Sequence, residues 1–174
     1  MPASFKHAVD RLSAGQKTLT TCWLASYKMI LKFHGQRTDN IQARMQSAGI
    51  DAADAEANGL LDTDYDKAGR ALGNDRFAGT KFNKEQGFFD VGLSDGCEAF
   101  LKILAAAPLW TSRRAGKEFH IVVAVGWDDD NEQIIFLNPF PGPDHALEVK
   151  LKGNLFVRNI TSAAGSVQSA VIVP

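Results

Sequence analysis

The sequence predicts an α+β chain in which a helical first half packs on an antiparallel β second half. Three observations lead there. Between Thr21 and His34 the only charges are Lys28 and Lys32, four apart on one stripe, so the segment reads as a mostly buried helix. From Pro108 onward the chain breaks into short β-branched and aromatic runs bounded by Gly, Pro, Asp and Asn. No repeat or low-complexity linker separates the halves, so residues 1–174 read as one domain, with a helical lobe of about 1–107 and a β lobe of about 108–174.

Taken in order, the Thr21–His34 helix ends at Gly35, the residue type that closes helices in the left-handed conformation. Asp39–Ala48 is a short amphipathic helix, capped by Thr38 or Asp39. Asp64–Leu72 is another, with Asp62, Asp64 and Asp66 near its positive end. Those three aspartates resemble the start of a calcium loop, but Lys67 and Gly73 stand where such a loop needs Gly and Glu. The stretch between Gly73 and Gly92 reads as loop. A helix over Ser94–Ala107 is capped by Ser94 or Asp95 and stopped by Pro108, with Cys97 in its core pattern. The strands are "PLWTS", "EFHIVVAVGW", "QIIFLN", "ALEVKL" and "SAVIVP". Phe119–Trp127 is apolar on both faces and therefore central.

Composition narrows the function. At 45% apolar, 22% charged and a net charge of −1, the chain has no basic surface to recruit nucleic acid or an anionic membrane. The N-terminal stretch lacks the apolar core of a secretory signal, and no apolar run is long enough to cross a bilayer. Two cysteines without a CxxC pair make neither a disulfide framework nor a structural zinc site. A cytosolic protein without metal or cofactor is the expectation.

Cys22 opens the buried helix, where unpaired backbone N–H groups and the helix dipole stabilise a thiolate; free cysteines more often simply pack. Of four histidines, His120 stands near the start of the most buried strand, where a polar ring needs a hydrogen bond. Asn138 ends the next strand and can orient that ring if the register allows. An even hairpin loop sends Asn138 to the opposite face. A three-residue loop, Asp129–Asn131, pairs Asp128 with Glu132 and sets Asn138 diagonally beside His120, with asparagine suited to the left-handed position. The pairing therefore requires an odd loop or a bulge. Gln16 precedes Cys22 closely enough to donate its amide to a developing oxyanion, together with the Cys22 backbone N–H.

Gln16, then Cys22-Trp23 at a helix start, resembles the nucleophile segment of papain-like cysteine peptidases. "PLWTSRRAGKEFHIVVAVGWDDDNEQIIFLNPFPGP" resembles the second half of their compact bacterial branch, which includes effector proteases and the peptidases that cut after double-glycine leaders. The resemblance covers about a third of the chain. It implies a papain-like fold, with Cys22 as nucleophile, His120 as general base and acid, Asn138 as orienting residue, Gln16 as oxyanion donor and Trp23 as a wall of the substrate cleft. Many members of that branch carry Asp at the last position, whereas Asn138 adds no charge. The implied function is a thiol endopeptidase acting on a protein substrate, with small residues such as Gly before the scissile bond. A bacterial effector or toxin follows from the same resemblance. It would be cytoplasmic in the producing cell, exported by a specialised secretion system and held in check by a cognate immunity protein. The competing readings are a thiol amidase, deamidase or transglutaminase-like enzyme acting on peptidoglycan or protein glutamine, and an inactive papain-like binding module.

Overall fold

The architecture follows from a central strand that is apolar on both sides and must be covered twice. A computed structural model describes residues 2–11, 15–73, 78–82, 93–115, 118–140, 142, 144–161 and 168–172. In chain order the elements are β1 (Phe5–Lys6), α1 (Cys22–Phe33), α2 (Ile41–Ser47), α3 (Ala52–Asn58), α4 (Tyr65–Gly73) after a 3₁₀ turn at Asp62–Asp64, β2 (Ala78–Phe82) and α5 (Leu93–Ala106). Then come β3 (Leu109–Ala115), β4 (Glu118–Asp128), β5 (Gln133–Asn138), β6 (Leu147–Lys152), α6 (Gly153–Thr161) and β7 (Gln168–Ile172). The sheet runs β2-β7-β3-β4-β5-β6, every pair antiparallel, and β1 adds to β4 beyond the point where β3 begins.

Alternation along β4 feeds two cores. Ile121, Val123 and Val125 join Trp110, Ile135 and Leu137 against residues of α1 to α4. Val122 and Ala124 join Leu109, Ile134 and Phe136 against Phe100, Leu101 and Leu104 of α5 and Phe156 of α6. Strand alternation alone would put Trp127 with Val125, yet it lies in the second core. The register shifts between Ala124 and Gly126, so one extra residue reverses the parity.

That bulge replaces the expected three-residue loop. Asp128 pairs with Gln133, so the loop is four residues, Asp129–Glu132, and Glu132, not Asn131, takes the left-handed conformation (φ 51°). Asn131 instead bonds the Asp128 carboxylate through its backbone N–H and its side chain. Past the bulge Val123 faces Leu137, the register that brings Asn138 diagonal to His120.

Other differences are local. Gly35 ends α1 at φ 65°, with its N–H on Lys32 O and that of Gln36 on Leu31 O, the paired C-terminal bonds of a Schellman motif. The cap of α2 is Asn40 rather than Thr38 or Asp39, because the chain turns helical two residues later than expected. Helix α5 starts at Leu93, so Ser94 and Asp95 fall inside its first turn rather than before it. Strand β2 and helices α3 and α6 come where no regular element was expected. The rest of the Gly73–Gly92 stretch lies outside the described residues.

Candidate active site

The site is built where β5 leaves β4. The last β4–β5 pair is Val123 with Leu137, and Pro139 after Asn138 has no N–H to continue the ladder. Helix α1 enters there: the Ser26 hydroxyl donates to Ile121 O (3.3 Å), and the N–H of Ile121 is directed at the Cys22 sulfur. Cys22 and Ser26, one turn apart on α1, thus grip both ends of the residue that follows His120.

Thr21 occupies the N-cap position of α1, but its side chain makes no capping bond. Its hydroxyl accepts from Lys17 N and Thr18 N and lies 3.1 Å from Thr18 O, as donor. The first intrahelical bond is Ala25 N to Thr21 O, which leaves the N–H groups of Cys22, Trp23 and Leu24 without helical partners beside the thiol. This tight Thr-rich turn is tied to α3 by Thr20 Oγ1 on Glu56 O (2.6 Å) and Trp23 Nε1 on Ala55 O (2.9 Å). Helix α3 is therefore part of the site's support, and its signal in the sequence is Asp51, which caps it by accepting from Ala53 N and Asp54 N.

On β4, His120 Nε2 lies 2.7 Å from Asn138 Oδ1. The same oxygen accepts the backbone N–H of Phe140 at 3.0 Å. An N–H can only donate, so the atom it meets is the amide oxygen, and the imidazole must carry its proton on Nε2. Nδ1 is then the ring's free acceptor. Gln16 joins the group through its backbone, whose N–H donates to Pro139 O at 2.9 Å. Its Nε2 donates to Thr18 O (2.8 Å), while its Oε1 is buried without a partner.

Cys22, Gln16, His120 and Asn138 thus converge, each joined to the next directly or through an adjacent residue. The direct side-chain bond among them is His120–Asn138; the Cys22 thiol and the His120 ring are not hydrogen-bonded to each other among the described contacts. Burial pushes the Cys22 thiol up, over the opposing pull of the N–H groups of Ile121, Trp23 and Cys22 itself. Burial also pushes the His120 imidazole down, against the bond to Asn138 and helped by the charge of Arg113. The sequence suggests a thiolate; with Cys22 only 7% exposed, desolvation outweighs the helix end and favours a neutral thiol–imidazole pair.

Trp23 has no exposed surface. It braces α1 through Ala55 and through its own carbonyl, which accepts from Trp110 Nε1 at 3.3 Å. Among the described residues, the large apolar side chains exposed near these positions are Leu19, 78% exposed in the turn before Cys22, and Phe140, 45% exposed after Asn138. Neither stood out in the sequence, where a Leu among threonines and a Phe between prolines look like ordinary loop residues.

Residues 6–152 match the family model described as papain-like cysteine protease AvrRpt2, a span that includes all of these positions. The chain belongs to that family. It is a cysteine peptidase with an α+β papain-like fold, and its substrates are accordingly proteins. No curated protein matches the sequence. Among the described residues no helix is long and apolar enough to cross a membrane.

Proposed function

We propose that the peptidase cuts internal bonds of a protein substrate through a Cys22 thioester, with His120 as base and acid, Asn138 as its orienting partner and Gln16 as oxyanion donor. The observation that carries this reading is the 2.7 Å bond from His120 Nε2–H to Asn138 Oδ1, with the oxygen identified by Phe140 N–H. It leaves Nδ1 to take the Cys22 proton as sulfur attacks the carbonyl carbon. The oxyanion so formed is stabilised by the Cys22 N–H, left free at the helix start, and by the second N–H of the Gln16 amide. Nδ1–H then protonates the departing amine. Water, deprotonated by the same nitrogen, attacks the thioester, releases the acid and restores the thiol. Leu19 and Phe140 supply apolar contact for the substrate chain.

The resemblance to effector proteases supports an effector or toxin role in a recipient cell, a cognate inhibitor in the producer, and small residues before the scissile bond. The test is Cys22→Ala against wild type, with mass spectrometry of candidate proteins and growth of cells expressing each form. New chain termini and toxicity made by wild type alone support the reading. A one-dalton gain without chain cleavage would move it to a deamidase, and equal behaviour of the two forms would sink the assignment of Cys22.

A further inference from the structure

Arg113 on β3 is the direct cross-strand partner of His120 on β4. Its guanidinium carbon sits 5.1 Å from the centroid of the Phe136 ring, on the sheet face shared by His120 and Asn138. Nε is buried and has no hydrogen-bond partner, and no carboxylate, carbonyl or hydroxyl among the described residues bonds the group. Arg37, by contrast, forks onto Asp39, and Arg44 donates to Ala71 O. A guanidinium is all donors and no acceptor, so half-burying one beside a histidine without an anion is unfavourable in the free protein. The Phe136 ring returns only part of that loss. Arg113 also weakens the imidazolium by its charge, which argues against its being there to serve His120.

The location indicates what completes it. His120 has Asn138 on its β5 side and Arg113 on its β3 side. The imidazolium passes its proton to the departing amine, so the substrate beyond the scissile bond runs past His120. With Asn138 occupying one flank, the chain after the bond meets the other. A planar fork of N–H donors at that place fits a carboxylate with two parallel bonds.

We propose that Arg113 is a specificity residue that binds a substrate carboxylate within the first few residues after the scissile bond. The carboxylate is an Asp or Glu side chain or the α-carboxylate of a chain end. The assignment rests on the catalytic roles proposed above.

The test is digestion of a proteome-derived peptide library, with the new N-termini sequenced by mass spectrometry. Wild type should enrich Asp or Glu about tenfold at one of the first three positions after the cut, the scale of one charge-assisted pair. Arg113→Gln should bring that enrichment close to unity, and Arg113→Glu should transfer it to Lys and Arg. Should Arg113→Gln fail to fold, Arg113→Lys keeps the charge without the fork and should give an intermediate value. Amidating the library's C-termini separates the sources: loss of cuts near chain ends identifies the α-carboxylate, and unchanged cutting identifies the side chain. A wild type that is indifferent both to Asp or Glu after the cut and to amidation, or the same preference in Arg113→Gln, overturns the proposal while leaving the catalytic roles standing. A Cys22→Ala form that still digests the library overturns the roles themselves, and a wild type that cuts no member removes both.

Discussion

Two hydrogen bonds on one oxygen decide what His120 can do. Phe140 N–H and His120 Nε2 share Asn138 Oδ1, so removing that oxygen frees both the ring's orientation and its tautomer. Asn138→Ala should lower kcat about 10- to 100-fold with little change in KM, since the substrate's own contacts are untouched. Asn138→Asp keeps the acceptor and adds a charge that favours the imidazolium. The acid limb of its pH–rate profile should therefore move to higher pH than in wild type. The wild-type limb has a sign of its own. Burial lowers the His120 pKa, so the base stays neutral well into mild acid, and activity should hold down to below the ordinary histidine value of about 6.5. The same shift means that folding disfavours protonated His120: its contribution to stability is full above about 6.5 and is lost as pH falls through the folded value. Burial raises the thiol, so iodoacetamide at pH 5 should label Cys22 no faster than a free thiol. Rapid labelling there would show that a resting ion pair forms despite the burial. The sequence carried Cys22, His120 and Asn138 because each has an unusual neighbourhood: a cysteine at a helix start, a histidine in an apolar strand, an asparagine before proline. Arg113 carried no such mark, since an arginine in "TSRRAG" looks like a hairpin surface until β3 and β4 are paired.

At the scale of elements, the register depends on a bulge, and the bulge has a steric cause within reach of mutation. β1 crosses so close to β4 that a Cβ on Gly126 would lie 2.4 Å from Phe5 O and 2.9 Å from Lys6 Cα. His7 N–H holds the bulged residue's carbonyl, Val125 O, at 2.8 Å. Gly126→Ala must therefore displace β1. A loss of about 1–3 kcal/mol in stability is expected from denaturant unfolding. The His120–Asn138 alignment should loosen with it, so kcat should fall more than the folded fraction does. Full stability and full kcat in that variant would mean that β1 has no part in setting the bulge. Periodicity could announce that an odd count was needed between His120 and Asn138, but not where it would fall. The position falls where a two-residue strand more than a hundred residues away crosses β4. The elements that went unread share that dependence. Helix α6, "GNLFVRNIT", starts at a glycine directly after β6 and is rich in residues that also suit strands. β2 is defined by its pairing with β7, from the far end of the chain. α3 is only seven residues and draws its hold from Thr20 and Trp23. By contrast α1 and β4, whose described residues are mostly buried, were plain from local pattern.

Across the whole molecule, the segment before α1 works as a strap from the hairpin tip to the site. Ser4 Oγ accepts Asp129 N–H, Lys6 pairs with Glu148, His7 Nε2 meets Leu104 O at 2.6 Å, Arg11 O accepts Ala146 N–H, and Gln16 N–H reaches Pro139 O. These contacts reach the β4–β5 loop, β6, α5 and the connection between β5 and β6, while Phe5 and Val9 pack against the two opposite cores, so the strap joins both faces of the sheet and its outer edge. The exposed Lys6–Glu148 pair adds little on its own. The main-chain bonds are another matter, each contributing on the order of 1 kcal/mol net. Deleting residues 2–11 removes β1 and the bonds at Val125, Leu104 and Ala146 together. For a domain of this size that should lower Tm by roughly 5–10 °C. Hydrogen exchange at Gly126 and Trp127, whose β1 neighbours are gone, should speed up, while Val122 and Val123, paired to β3 and deep in the two cores, keep their protection. Gln16 would keep its bond to Pro139, so the truncated enzyme should retain residual activity that falls faster with temperature than wild type's. If the truncation leaves Tm and the exchange at Gly126 and Trp127 unchanged, the strap is an appendage, and the bulge that aligns Asn138 with His120 is set by the β4–β5 hairpin alone.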